Sequence, residues 1–226
     1  MIISIGQDKL FALLCNQLRH NFLLDQQELA PLQEAVSRAL PRAERCFGGI
    51  SNKYYRDDEG RGLFNPYHSG QYGIFLYFLA QEALALGQRS LADRLYYLNK
   101  MLNAFDLYYE TALPEVFFME HPVGSVMGRA RYGNHLVIQQ NCTVGGNGGI
   151  YPTLGDFVWL FANATVVGNS TLGNNVFVSA NSYIKDQDIP DNSLVFGSSP
   201  NLVIKQKPSD YFHRLSPFFA HRGADA

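Results

Sequence analysis

The stretch "TLGDFVWLFANATVVGNSTLGNNVFVSANSYI", residues 153–184, decides the fold because it repeats with a period of six. Aliphatic residues stand at every sixth position, which are Leu154, Leu160, Val166, Leu172, Val178 and Ile184. Four places after the first five stand small or β-branched residues, which are Val158, Ala164, Ser170, Val176 and Ser182. Self-similarity this short predicts a parallel β-helix, in which three hexapeptides form one triangular coil and each coil stacks on its neighbours.

The alternative for a chain rich in Gly, Asn and Val is a β-sandwich, but alternating strands have a period of two and would not keep a period of six. We expect the aliphatic side chains to point inward and the small residues to fill tight corners. Asn and Gly at the corners supply left-handed backbone conformations at low cost. The same period is present earlier, at Tyr132, Ile138 and Val144.

The period is interrupted once. Val144 and Leu154 are ten residues apart rather than six, so "GGNGGIYPT", residues 145–153, carries four extra residues. We expect this insertion to protrude from the coil, and long insertions in repeat folds are often functional.

The chain before residue 106 has a helical pattern instead. Residues 9–24, "KLFALLCNQLRHNFLL", repeat leucine with the three-and-four spacing of one face of an α-helix, and four helices are predicted in this part. The sequence therefore divides into an α-helical N-terminal region over residues 1–105, a β-helix domain over residues 106–206 and a C-terminal tail over residues 207–226.

The composition does not favour a nucleic-acid-binding protein or a membrane protein. The 226 residues are 46% hydrophobic with a net charge of −2, so a basic surface for nucleic acid is not expected. The longest apolar run is too short to span a bilayer, and the first residues lack the pattern of a signal peptide, so we expect a cytoplasmic protein. The three cysteines, Cys15, Cys46 and Cys142, form no Cys-x-x-Cys pair, and we predict neither a disulfide framework nor a metal site.

Three further segments carry a resemblance to a known family. They are "FMEHPVGSVMGRA" (118–130), "IQQNCTVGGNGG" (138–149) and "IPDNSLVFGSSPNLVIK" (189–205). Together with the hexapeptides, they resemble the left-handed β-helix acyltransferases and, among these, the serine acetyltransferases, over roughly residues 104–206. The resemblance implies an α+β fold, with an α-helical N-terminal region followed by a left-handed parallel β-helix. It also implies a homotrimer that transfers acetyl from acetyl-CoA to a hydroxyl group.

The resemblance assigns His121 as the general base that takes the proton of the acceptor hydroxyl, a role that suits an imidazole with a pKa near 6.5. Glu120 points to the opposite face of an extended chain and is expected to contact the acceptor. An upstream carboxylate should orient the imidazole, and the spacing does not decide between Asp106 and Glu110. Taken alone, a histidine beside a glutamate is better explained as a surface histidine at the edge of the scaffold, and the β-helix and the protruding insertion favour the base.

Two glycines of the insertion are assigned to the thioester. The resemblance implies that the backbone N–H of Gly146 stabilises the developing oxyanion and that Gly145 lets the backbone approach closely. The alternative is a tight turn without a catalytic role, which would also require glycines at these two positions.

The same resemblance assigns the acetyl-CoA groove. Ala162 and Ala180 match positions where the family's backbone binds the pantetheine arm, although a tight corner also requires small residues there. Lys185, Lys205 and Lys207 are candidates for the nucleotide phosphates, and solvated lysines are the alternative.

The chain departs from the family where the acceptor binds. The family's loop ends in an Arg-His pair before its proline, whereas this chain has Ile150 and Tyr151 before Pro152. A guanidinium binds a carboxylate through two parallel hydrogen bonds, and isoleucine cannot. Tyr151 can still hydrogen-bond a hydroxyl or stack on a sugar ring, and His68 is a second candidate for acceptor contact.

Three functions therefore remain open from the sequence. They are acetyl transfer to L-serine, acetyl transfer to a sugar or nucleotide sugar of surface polysaccharide biosynthesis, and a non-catalytic trimeric scaffold. Serine acetyltransferases that bind a sulfhydrylase use a terminal isoleucine, whereas this sequence ends "FAHRGADA", so no sulfhydrylase complex is expected. Further pairing of trimers through the helices is left open.

Overall fold

The computed structural model describes residues 1–218, so the last part of the predicted tail, residues 219–226, lies outside the described residues. Helices come first along the chain and a stack of short parallel strands follows. The described α-helices are α1 (Gln7–Asn21), α2 (Leu29–Gly48), α3 (Ser69–Ala85), α4 (Arg89–Asn103) and α5 (Ser209–Leu215). Short 3₁₀ segments at Gln26–Glu28 and Lys53–Tyr55 lie between them.

Helix α3 forms the centre of the N-terminal region. It packs against α2 on one side and α4 on the other, and most of its residues from Gly70 to Ala80 are buried. An α-helix that is apolar on all sides requires this central position. Two strands of two residues each, β1 (Ile2–Ile3) and β2 (Leu63–Phe64), pair in parallel beside the helices, a feature that the helical prediction did not include.

The β-helix begins with β3 directly after α4. Its strands are β3 (Asp106–Leu107), β4 (Phe117–Met119), β5 (Val126–Met127), β6 (Arg131–Tyr132), β7 (Leu136–Ile138), β8 (Thr143–Gly145), β9 (Thr153–Leu154), β10 (Trp159–Leu160), β11 (Thr165–Val167), β12 (Thr171–Leu172), β13 (Val176–Val178), β14 (Tyr183–Lys185), β15 (Ser193–Phe196) and β16 (Val203–Gln206). They form three sheets, in the orders β16-β15-β13-β10-β7-β4, β14-β11-β8-β5-β3 and β12-β9-β6. All pairs in these sheets are parallel except β15 with β16.

The predicted hexapeptides are confirmed by the register. Leu160 lies opposite Ile138 on one side and Val178 on the other, so equivalent positions of successive coils stack. All six aliphatic positions of residues 153–184 are 2% exposed or less, as are the five small or β-branched positions. The fold is thus the predicted one, an α-helical N-terminal region followed by a left-handed parallel β-helix.

The corners use left-handed backbone conformations at asparagine, as predicted. Asn141, Asn163 and Asn181 stand at equivalent corners with φ values of 55°, 62° and 61°. Asparagine tolerates this region better than most residues because its short side chain forms local hydrogen bonds. Here the Asn163 amide donates to the Asn181 side-chain oxygen at 2.9 Å, which links two coils.

The end of the described chain returns to the N-terminal region. We call residues 209–218, which begin with α5, the C-terminal strap. Phe212 of the strap is buried edge-on against Phe177 of β13, with ring centroids 4.8 Å apart. The carbonyl of Pro217 then accepts hydrogen bonds from the backbone N–H and the hydroxyl of Ser51, both at 2.6 Å.

No helix within residues 1–218 is both long and apolar enough to cross a membrane.

Candidate functional site

A cleft of about 140 Å³ lies where the N-terminal region meets the first coil of the β-helix. The chain leaving β4 supplies one wall, and the start of α3 with the segment before it supplies the other. The polar lining residues are Asn52, Tyr54, His68, Ser69, Glu120 and His121. Sequence analysis selected His68, Glu120 and His121, and the structure brings all three to this cleft.

His121 occupies the corner that follows β4, with a φ of 49°. Other corners of the β-helix use the same left-handed conformation at residues other than glycine, for example at His135 and Phe157, so this backbone conformation belongs to the coil geometry. The imidazole of His121 forms no hydrogen bond with any side chain or backbone group of residues 1–218, which leaves both ring nitrogens available to a ligand or to another chain.

His68 faces His121 from the start of α3. Its Nδ1 accepts the backbone N–H of Gln71 at 3.3 Å, so it caps the helix and its proton belongs on Nε2 when the ring is neutral. Burial lowers the pKa of His68, and the nearby His121 lowers it further. A neutral His68 therefore offers an Nε2–H donor at neutral pH.

Glu120 is held by a residue that sequence analysis did not select. One carboxylate oxygen, Oε2, accepts a hydrogen bond from Nε2 of Gln139 at 2.6 Å. The other end of the same amide, Oε1 of Gln139, accepts the backbone N–H of Ala162 at 3.1 Å. The sequence indicates Gln139 only once the coil register is known. Met119 pairs with Ile138, so Gln139 lies next to Glu120 in the neighbouring coil.

The two candidate orienting carboxylates are engaged elsewhere within the chain. Asp106 accepts the hydroxyl of Tyr96 at 2.7 Å and pairs with the ammonium of Lys100 at 2.6 Å. Glu110 pairs with Arg89 at 2.7 Å. Neither carboxylate bonds His121 among residues 1–218, so the choice between Asp106 and Glu110 stays a prediction.

The insertion after Val144 forms a tight hairpin. Asn147 and Ile150 exchange two backbone hydrogen bonds, of 2.9 and 3.1 Å. Between them Gly148 and Gly149 have φ values of 59° and 81°. Two successive residues with positive φ are the pattern of a type I′ turn, which strongly favours glycine.

The two glycines before the hairpin differ in their surroundings. A Cβ on Gly146 would lie 2.6 Å from a ring carbon of Tyr151, whereas a Cβ on Gly145 would meet nothing within 4 Å. Within residues 1–218 the backbone N–H of Gly146 has no hydrogen-bond acceptor, which leaves this donor available, and its role toward an oxyanion stays a prediction. The Tyr151 side chain itself is 45% exposed.

The positions predicted for acetyl-CoA follow one edge of the β-helix. Ala162 and Ala180 stack in successive coils, since the Asn181 N–H donates to the Ala162 carbonyl at 2.9 Å. The N–H of Ala162 is bonded to Gln139, whereas the N–H of Ala180 has no partner in the described part of the chain. Lys185 and Lys205 are exposed, and the Lys205 ammonium lies 5.5 Å from the ring centroid of Phe196. The assignment of these four residues stays a prediction.

No group of three or more His, Cys, Asp or Glu side chains is arranged to hold a metal ion in residues 1–218. The three cysteines are buried free thiols, and burial raises the pKa of Cys142 to about 11. A thiol with so high a pKa is protonated at neutral pH, which disfavours it as a nucleophile.

The fold and the cleft fit a hexapeptide-repeat acyltransferase with a left-handed β-helix. The chain is similar to the curated serine acetyltransferase of Staphylococcus xylosus, with 28% identity over 160 residues, which covers 69% of this chain and 71% of that protein. The solved serine acetyltransferase of Neisseria gonorrhoeae superposes with a TM-score of 0.65 at 24% identity, over 81% of this chain and 73% of that one. A solved serine acetyltransferase in complex with CoA gives a TM-score of 0.65 at 21% identity, over 77% and 75% of the two chains. No family model matches the chain. The resemblance predicted from the sequence is confirmed.

Proposed function

We propose that the protein is an acetyl-CoA-dependent O-acetyltransferase that resembles serine O-acetyltransferase and transfers acetyl directly to the hydroxyl of a small molecule. The observation that carries the proposal is His121, an unpartnered imidazole among residues 1–218, held at a left-handed corner in a cleft it shares with Glu120 and His68. Similarity to curated serine acetyltransferases supports the same reaction class.

The reaction needs one base and one oxyanion donor. Neutral His121 takes the proton of the acceptor hydroxyl while the hydroxyl oxygen attacks the thioester carbonyl carbon. The carbonyl oxygen becomes an oxyanion, which the free N–H of Gly146 stabilises. When the tetrahedral intermediate collapses, the C–S bond breaks and His121 returns the proton to the sulfur of CoA. The products are the acetyl ester and the CoA thiol.

The remaining site residues are proposed for binding. Glu120, His68 and Tyr151 contact the acceptor, and Asp106 or Glu110 orients His121. Gly145, Ala162 and Ala180 provide backbone along which acetyl-CoA lies, and Lys185 and Lys205 meet its phosphates. The N–H of Ala180, unpartnered within residues 1–218, and the exposure of the two lysines support this placement.

L-Serine is the first candidate acceptor because the similar curated proteins carry that name. A sugar or nucleotide sugar is the second, and a specific observation favours it. The lining residues of the cleft include no lysine or arginine in the described part of the chain, and the hairpin presents Ile150 and Tyr151. A carboxylate in the cleft would therefore lack a cationic partner from these residues, whereas a tyrosine ring suits a sugar.

The experiment that tests the function is thiol release from acetyl-CoA, followed with a thiol-reactive dye. L-Serine is compared with a panel of amino sugars and nucleotide sugars. Thiol release with serine would identify a serine acetyltransferase that holds the carboxylate without an arginine. Thiol release only with a sugar would identify a sugar acetyltransferase whose acceptor loop differs from that of the serine acetyltransferases. Release with none of these acceptors contradicts the proposal and favours the non-catalytic scaffold.

The assembly is proposed to be a homotrimer in the cytoplasm. Exposed apolar side chains on one flank support an oligomer, since Val126 of β5 and Tyr183 of β14 belong to the same sheet and are 42% and 38% exposed. The division of the chain at residues 105 and 206 is likewise proposed.

A further inference from the structure

We propose that Gln139 is a positioning residue that fixes the carboxylate of Glu120 at the acceptor end of the cleft. The inference rests on the proposed function, and it adds a residue of the second coil to the machinery. Gln139 does not line the cleft itself, so it acts through Glu120.

The register of the β-helix places the two side chains together. Met119 and Ile138 are partners in the parallel ladder of β4 and β7, so the residues that follow them, Glu120 and Gln139, stand one above the other at the same corner. Adjacent strands of a sheet lie about 4.8 Å apart, a separation that two extended polar side chains readily bridge. The contact is therefore built into the coil spacing.

The backbone determines the orientation of the Gln139 amide. The N–H of Ala162 can only donate, so it must meet the amide oxygen, which it does at 3.1 Å. The NH₂ group is then turned toward Glu120, whose Oε2 it meets at 2.6 Å. Because the amide is bonded at both ends, its orientation is fixed before any ligand arrives.

This arrangement holds Glu120 without neutralising it. A lysine side chain in place of Gln139 would form an ion pair, whereas an amide contributes a hydrogen bond and leaves the negative charge of the carboxylate in place. Among residues 1–218, Gln139 is the one side chain that hydrogen-bonds Glu120. The second oxygen, Oε1, has no partner in that part of the chain and remains available to a hydroxyl or an ammonium group of the acceptor.

The test compares Gln139→Leu and Gln139→Glu with the wild type in the thiol-release assay. A hydrogen bond to a charged group contributes enough that its loss is expected to raise the KM for the acceptor about tenfold in Gln139→Leu. The KM for acetyl-CoA should rise less than the KM for the acceptor, because Gln139→Leu frees one backbone N–H, that of Ala162, beside the proposed acetyl-CoA groove but removes the contact to a charged group only at the acceptor end. Gln140→Leu is the matched control, because the neighbouring glutamine side chain forms no hydrogen bond among residues 1–218.

Gln139→Glu should give a pH dependence of the acceptor kcat/KM that a purely structural role of Gln139 would not produce. Two carboxylates in contact repel when both are ionised, and one of them binds a proton more tightly. Once the pair holds a proton, one carboxyl group again donates a hydrogen bond to the other, as the amide does in the wild type. The acceptor kcat/KM of this variant, taken as a ratio to that of the wild type at the same pH, should therefore recover as the pH falls from about 8 toward about 6.

The outcomes separate the two proposals. A wild type that is inactive with every acceptor contradicts the function itself. An active wild type with an unchanged acceptor KM in Gln139→Leu contradicts the role of Gln139, as does a variant in which both KM values rise together with a lowered Tm.

Discussion

At the scale of single residues, His121 carries the chemistry. Replacing it with asparagine removes the base, and asparagine still tolerates the left-handed corner at φ 49°. We expect turnover to fall by about a hundredfold or more, the usual contribution of general base catalysis. Thiol-release kinetics measure the loss, and Tm serves as the control for folding. Undiminished turnover would remove His121 from the mechanism.

His68 should make stability depend on pH. Burial lowers its folded-state pKa, so in the unfolded chain it binds a proton at higher pH than in the folded one. The stability that it contributes is therefore complete above about pH 6.5, its unfolded pKa, and is lost as the pH falls through the folded-state pKa.

His68→Asn keeps an acceptor for the start of α3 without the titration. Between about pH 7.5 and about pH 5.5 we expect the wild type to lose more unfolding free energy than this variant, because only the wild type has the buried His68 imidazole that gains a proton on unfolding. Urea unfolding at both pH values measures the difference. Equal losses in the two proteins would show that His68 is not the titrating group.

The sequence predicts the cleft residues only where a motif fixes their position. His121 and Glu120 follow from a short segment with a characteristic spacing, and both line the cleft. Gln139 could not be selected, because the corner after β4 is longer than later corners and the hexapeptide count does not show which side chain stands above Glu120. Asp106 was a reasonable candidate, but no sequence pattern indicates that Tyr96 and Lys100 bind its carboxylate.

At the scale of elements, the β-helix depends on a column of glycines. A Cβ on Gly133 would lie 2.3 Å from the backbone of Gly155, and a Cβ on Gly155 would lie 2.6 Å from the carbonyl oxygen of Gly173. These contacts are to backbone, which cannot rotate away. The coils can stack this closely only because the column has no side chains.

Gly155→Ala should therefore lower the free energy of unfolding by about 2 to 4 kcal/mol, in the range of substitutions that overpack a core. Gly48→Ala is the matched control, since a Cβ there meets nothing within 4 Å and alanine favours the helix end. Denaturant unfolding at one fixed protein concentration compares the two. A Gly155 variant as stable as the Gly48 variant would show that the coils can move apart.

The elements were predictable where a period exists and not elsewhere. The six-residue period fixes which side chains point inward, so the core of the β-helix follows from the sequence. Strands β1 and β2 have two residues each, too few to show any period, and their pairing depends on distant parts of the chain. The hairpin at Asn147 to Ile150 was expected only as a protrusion, although its Asn-Gly-Gly sequence is a hairpin signal.

At the scale of the whole molecule, the trimer is the assembly to test. Light scattering after gel filtration should give three times the 25.3 kDa of one chain. Tyr183→Glu places a charge on the exposed flank and should shift the mass toward that of the monomer, because burying an unpaired charge opposes association. A monomeric wild type would contradict the trimer, and a variant that remains trimeric would show that the interface does not include Tyr183.

The antiparallel return of β16 has a consequence for how the protein behaves at high concentration. A stack of parallel coils has no inherent end, and an open final coil offers unpaired backbone groups to a second molecule. Here β16 covers the edge of β15 in the opposite direction, and Lys205 on it is exposed. Charged residues on an edge strand discourage further strand addition. Strand β16 is therefore expected to keep the protein from associating end to end into fibres at high concentration.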